Sequence, residues 1–192
     1  MADIEARLNR LEREIRNPRF MENRGVGNEV RYYVFDYPAE QELAVRAWVR
    51  DAVRKNENSG APAPIVVFDL YEMIISFLTE KGFMEKCYEF EKSRGLAFLT
   101  KVIGDAMRFS TEDGVIIRRI QDDTPDKAIV FLTGVGKCFP ILRSHKVLNN
   151  LHQVMDKVPV IMFYPGKYDG QELVLFSEIK DDNYYRAFKL ID

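Results

Sequence analysis

The stretch Lys127 to Tyr168, KAIVFLTGVGKCFPILRSHKVLNNLHQVMDKVPVIMFYPGKY, constrains more than any other how this chain can fold. Two short apolar runs, Ala128 to Leu132 and Val158 to Tyr164, each close on a glycine with a lysine just beyond, and a helical pattern separates them. Strand, polar loop, helix and second strand form the unit from which parallel sheets are built, because parallel neighbours need a crossover that brings the chain back to the same end. The rest of the sequence reads as completing that sheet.

Upstream, Ile4, Leu8, Leu11 and Ile15 fall at alternating steps of four and three, an apolar seam on a charged helix that Asp3 can cap and Pro18 ends. Two heptads are too few for an independent coiled coil. The helix is expected to pack on its own domain, with presentation to a partner as the alternative. After a loop with Gly25 and Gly27, Val30 to Phe35 reads as a buried strand ended by Asp36-Tyr37-Pro38. The next helix carries Glu40 and Glu42 in its first turn and Trp48, Val49, Ala52 and Val53 on its apolar face. Arg46, Arg50 and Arg54 form a charged ridge at i, i+4 spacing, either a solvated face or a contact for an acidic partner.

Asn56 to Pro64 is a turn-rich connector, and Ile65 to Phe68 is the next strand. Asp69 can cap a helix whose apolar residues Leu70, Met73, Ile74, Phe77 and Leu78 share one face, with Gly82 as its stop. Residues 83 to 122 read as mostly helical, with Leu96, Leu99, Val102, Ile103, Ala106 and Met107 in an apolar stripe. Ser110 and Asp113 can form a capping box for a last short helix, although Val115 to Ile117 would also suit a strand. Beyond Tyr168, Asp169-Gly170 is a turn leading into Glu172 to Phe176 as the last strand, and the tyrosine-rich tail Lys180 to Asp192 is expected to dock. The expected architecture is α/β in three layers, a mostly parallel sheet flanked by helices. Residues 1–24 form an N-terminal helix and loop, and residues 25–192 a single domain.

With 46% hydrophobic residues in 192, the chain can bury a core without staples. Its two cysteines, Cys87 and Cys138, lie on unrelated elements without metal-ligand spacing, so a reducing cytoplasm is the expected setting. The charged N-terminus lacks a signal core, and no apolar run reaches the roughly 18 residues of a membrane span. A net charge of −2 gives no general attraction to nucleic acid, so any DNA contact would be local, weak or indirect.

Thr133-Gly134-Val135-Gly136-Lys137 invites comparison with a phosphate loop, but the spacing refuses it. A P-loop needs glycine four positions before its Gly-Lys pair and serine or threonine after, where Phe131 and Cys138 stand. The dinucleotide pattern fails as well, with Phe139 at the third glycine position and no helix expected directly after. What remains is a sharp turn, or an anion or partner site with Lys137 and Arg143 as cations. His145, just after the expected cap Ser144, and His152 have no ligand neighbours at helical spacing. Asp36 and Asp69 each follow an apolar strand and would share the carboxyl edge of a parallel sheet with Lys137, Lys167 and Asp169. Two carboxylates and two lysines there could hold magnesium and phosphate, while local turn and cap roles also account for both aspartates.

The string LTGVGKCFPILRSHKVLNNLHQVMDKVPVIMFYPGKYDGQELVLF, followed by KDDNYYRAFKL, resembles the BrxB family of bacteriophage exclusion (BREX) systems. GVGNEVRYYVFDYPAEQELAVR and VVFDLYEMI are similar to that family's upstream portion, and the likeness weakens only between Glu80 and Asp126. Cys138 and Lys146 depart from the family pattern, which has an aromatic residue and an asparagine there. The resemblance implies membership of a multi-protein complex that separates phage DNA from methylated host DNA. The companions are a phosphodiesterase of alkaline-phosphatase type (PglZ), a methyltransferase and a large ATPase. It brings no catalytic residues, cofactor or metal. A degenerate P-loop NTPase-like core without a Walker A motif, with RYYVFDYP in the place of the first strand, is compatible with the element order. The expected function is a non-catalytic assembly or adaptor subunit that binds the PglZ-type protein. The alternative is a nucleotide- or metal-dependent enzyme or switch at the carboxyl edge.

Overall fold

The structure, a computed structural model, describes residues 4–22, 31–61, 63–181 and 187–191. Its elements are α1 (Ile4–Arg16), α2 (Pro18–Glu22), β1 (Tyr32–Tyr37), a 3-10 turn (Ala39–Gln41), α3 (Glu42–Asn58), β2 (Ile65–Asp69), α4 (Leu70–Glu80) and α5 (Met84–Met107). They continue with α6 (Val115–Asp123), β3 (Ile129–Thr133), α7 (Val135–Cys138), α8 (Ser144–Val154), β4 (Val160–Tyr168), β5 (Leu173–Leu175), β6 (Ile179–Asp181) and β7 (Phe188–Lys189).

The strands lie in the order β2, β3, β4, β1, β7, all parallel. β4 outruns its neighbours, and Gly166 to Tyr168 pair antiparallel with β5, which pairs in turn with β6. Strand alternation sends Val34, Val130, Leu132, Val160 and Met162 to one face and Phe35, Ile129, Phe131, Ile161 and Phe163 to the other, so each face grows its own core. From β1 the chain crosses under α3 to the far edge at β2, then works back to β3 and β4. Right-handed crossovers in opposite directions require helices on opposite faces. Accordingly α1 and α3 cover the second face, and α4, α6 and α8 the first.

Periodicity accounts for the helices. Leu8, Leu11 and Ile15 bury the seam of α1 in the second core, so this helix packs on its own chain. Trp48 of α3 lies over Phe131 and Phe163, whose rings meet edge to face at 5.0 Å. α5 kinks at Gly95 (φ 79°, ψ 173°). Beyond the kink Leu99, Ile103 and Met107 are buried, whereas none of residues 84–98 is fully buried. Among the described residues no helix is long and apolar enough to cross a membrane.

Several local expectations are corrected. β1 runs through Asp36 and Tyr37, and the turn begins at Pro38, which has no N–H to continue the ladder. Gly134 is followed directly by the helical turn α7. The capping box expected of Ser110 and Asp113 does not form at α6. Gly114 holds the cap position, and Asp113 bridges Arg108 and Arg118 at 2.7 and 3.4 Å. Val115 to Ile117 belong to a helix, because Ile116, Ile117 and Ile120 face the core together. Ser144 is the first residue of α8 rather than its cap, a place held by Arg143. The strand expected at Glu172 to Phe176 is Leu173–Leu175, closed by positive φ at Phe176 and Ser177, and it is not the last. The tail docks where it is described. β7 pairs with β1, and Ala187 and Ile191 are buried. Asp3, Val30 and the Gly25 and Gly27 loop lie outside the described residues.

Candidate functional site

The carboxyl edge of the parallel strands carries two charged clusters with a groove beside them. The first centres on Asp36, buried near the end of β1. Its Oδ1 accepts from Arg7 Nη2 at 2.8 Å, and its Oδ2 accepts from the Tyr168 backbone N–H at 3.0 Å, with Lys189 Nζ 3.5 Å away. Arg7 also donates to the carbonyls of Asp36 (2.6 Å) and Ile191 (3.0 Å), and its guanidinium lies 4.9 Å from the centre of the Phe35 ring. A buried charge must be paired and hydrogen-bonded to be tolerated. Here the Arg7 guanidinium, whose buried Nε has no hydrogen-bond partner among the described residues, and the Asp36 carboxylate together tie α1, β1, the end of β4 and the C-terminal segment.

The second cluster centres on Asp69, at the end of β2. Its Oδ1 caps α4 by accepting from the backbone N–H groups of Tyr71 and Glu72 at 3.1 and 3.2 Å. Its Oδ2 lies 2.8 Å from Lys137 Nζ, which also reaches Glu72 Oε1 at 3.1 Å and sits over the Tyr71 ring at 5.1 Å. Gly134 makes this approach possible. Its φ of +74° favours glycine, and a Cβ there would stand 2.2 Å from Asp69 Oδ1. Partial burial works to lower the pKa of Lys137, but the bonds to Asp69 and Glu72 outweigh it and raise the pKa. Cys138, one residue on, is buried, and desolvation pushes its thiol up to about 12.

A groove of about 210 Å³ lies on the second face between α3 and the ends of the strands. Val67, Thr133 and Phe163 form its sheet side, and Val49, Arg46 and Arg50 its helix side. At its β1 end the Tyr37 hydroxyl donates to Glu42 Oε2 at 2.6 Å, and Arg46 Nε donates to Glu42 Oε1 at 2.7 Å. Burial, then the bond to Glu42, raises the Tyr37 pKa, so the phenol stays protonated. Between β1 and α3, where a phosphate loop would stand, the chain has Pro38 and one 3-10 turn, with Glu40 and Glu42 in place of glycines.

The expected rim does not converge. β3 and β4 separate β1 from β2, so Asp36 and Asp69 stand three strand spacings apart, about 14 Å. Lys137 belongs to Asp69 alone of the two. Lys167 is exposed on β4 opposite Val174, and Asp169 accepts from the N–H groups of Gln171 and Glu172, both at 2.8 Å, which lower its pKa. The Arg143 guanidinium lies 5.9 Å from the centre of the Phe139 ring just before α8, and His145 is half-buried as the second residue of that helix, on the other face of the sheet from the groove. Among the described residues no three His, Cys, Asp or Glu side chains come together as a metal site. Sequence reasoning missed Arg7 and Lys189. The one available signal was that Arg7 stands three residues after Ile4 and four before Leu11, on the buried side of the seam.

The sequence pattern of the family described as "BREX protein BrxB" matches residues 66–190. A Bacillus cereus (strain H3081.97) protein described as "BREX protein BrxB" is 45% identical over 192 residues, all of both chains. An Escherichia coli O9:H4 (strain HS) protein of the same description is 34% identical over 188 residues, 98% of this chain and 92% of the relative. No solved structure matches at a significant level.

Proposed function

The chain belongs to the BrxB family, and from that premise we propose that it is an assembly or adaptor subunit of a BREX phage-defence complex, binding the PglZ-type component without catalysing a reaction itself. The observation that carries this reading is the use made of the carboxyl edge. In open α/β sheets that edge is where ligands bind. Here Asp36 is engaged by Arg7, Tyr168 and Lys189, and Asp69 by Lys137 and the start of α4. Both carboxylates hold elements of the fold in place, which favours a rigid scaffold presenting surface over a site that turns over substrate.

Co-expression tests this directly. Affinity purification of this chain at low salt is expected to retain the PglZ-type subunit of the same system in a fixed ratio. If the two elute separately, the reading fails.

A further inference from the structure

The free edge of β2 is half covered and half open. Parallel pairing with β3 begins with the Ile129 N–H donating to the Pro64 carbonyl at 2.9 Å, so residues 64, 66 and 68 point their backbone groups toward β3. The backbone groups of Ile65 and Val67 therefore point the other way, where no strand pairs with β2 among the described residues. Asn56, near the end of α3, covers the first part of that edge as a peptide group would. Its Oδ1 accepts from the Ile65 N–H at 3.1 Å, and its Nδ2 donates to the Ala63 carbonyl at 3.0 Å. Among the described residues the cover ends there. The Ile65 carbonyl and both backbone groups of Val67 continue the edge beyond it, and Val67 is 37% exposed. The strand carries none of the lysines or prolines that usually guard such an edge.

Val67 is also a wall of the groove beneath α3, whose helix side carries Arg46 and Arg50. A strand added beside β2 would send alternate side chains onto this face, next to those arginines. Among the described residues the groove's two carboxylates are already matched, Asp69 by Lys137 and Glu42 by Arg46, which leaves the charge of Arg50 for a partner. We infer that the open half of β2 takes an extended segment of another subunit by strand addition, with acidic side chains on that segment meeting Arg50; Arg46 is already bound to Glu42 at 2.7 Å. A second copy of this chain fits less well, because pairing two β2 edges would bring the two arginine ridges together on one face.

This inference rests on the assembly reading above and is tested with the same complex. Nuclear magnetic resonance hydrogen exchange would follow the Val67 amide in the free chain and in complex with the PglZ-type subunit. Affinity would be measured for Arg50→Glu, an exposed helix change, and for Val67→Pro, which removes the edge donor at a position where proline is tolerated. Protection of Val67 in the complex, with Arg50→Glu weakening binding about tenfold or more, is the expected result. A complex that forms with Val67 unprotected and both variants binding as wild type overturns the edge and leaves the assembly reading standing. Failure of the wild-type chain to form any complex overturns both. Val67 protection that depends on this chain's own concentration, without the partner, replaces the acidic segment with a second copy and overturns the inference as stated.

Discussion

Arg7 and Asp36 meet 2.8 Å apart across 29 residues of sequence, each side chain only 10% exposed. Removing one member of a buried pair typically costs about 3–5 kcal/mol, and here the low end applies to the loss of Arg7, since Asp36 keeps Lys189 at 3.5 Å and the Tyr168 N–H at 3.0 Å. Asp36→Ala and Arg7→Ala are each expected to lower the stability by about 3 kcal/mol in urea unfolding. The double variant should lose clearly less than the sum of the two, because the second change removes a charge already stranded by the first. Additive losses would mean that the two side chains are not coupled.

Gly134 and Asp69 are linked by steric exclusion. Gly134→Ala meets both an unfavourable φ and the Asp69 carboxylate at 2.2 Å. The left-handed conformation alone costs roughly 1–2 kcal/mol for a residue with a Cβ. The loss in the wild-type background should exceed that range. In an Asp69→Ala background, where the clash is gone, it should fall back to about 1 kcal/mol. Thermal melts of the four proteins check this.

The Lys137 pair makes a signed prediction about alkaline pH. The folded pKa is raised, so the contribution of the pair to stability is fully present below the unfolded value of about 10.4 and is lost as pH rises through the folded value. Lys137→Met is expected to be less stable than wild type at neutral pH. The gap should narrow in strongly alkaline solution, as read from urea midpoints across the range.

Cysteine labelling separates the two thiols. Cys138 is buried and its thiol is pushed up to about 12 by desolvation, whereas Cys87 is half-buried on α5. The thiolate is the reactive form. Iodoacetamide at neutral pH should modify Cys87 first and reach Cys138 only on unfolding, as peptide mapping would show. Early labelling of Cys138 in the native protein would place it outside the core.

Much of the fold was legible, and the failures have physical causes. The apolar runs Ala128 to Leu132 and Val158 to Tyr164 declared the buried strands Ile129–Thr133 and Val160–Tyr168 because these central strands are covered on both faces. Asp69 announced its cap because capping is local, depending on residues two and three positions ahead. Asp36 was harder. Its partners come from residues 7, 168 and 189, and no spacing rule within one helix or strand relates them. The rim reading put both aspartates on the carboxyl edge but could not know that two strands would stand between them. β7 was invisible for a similar reason, since a two-residue strand draws its stability from its place beside β1 rather than from its own composition.

Nucleotide with magnesium is expected to leave the melting temperature unchanged. A ligand at a hundred times its dissociation constant would add about 2.7 kcal/mol of stability, a shift that differential scanning fluorimetry resolves. Stabilisation by any nucleotide would revive the enzyme or switch reading at the carboxyl edge.

The most direct measurement of the central claim is size-exclusion chromatography with light scattering on this chain mixed with the purified PglZ-type subunit at low salt. The assembly reading predicts a new peak whose mass is the sum of whole numbers of the two chains. Two unchanged peaks at every mixing ratio would contradict it.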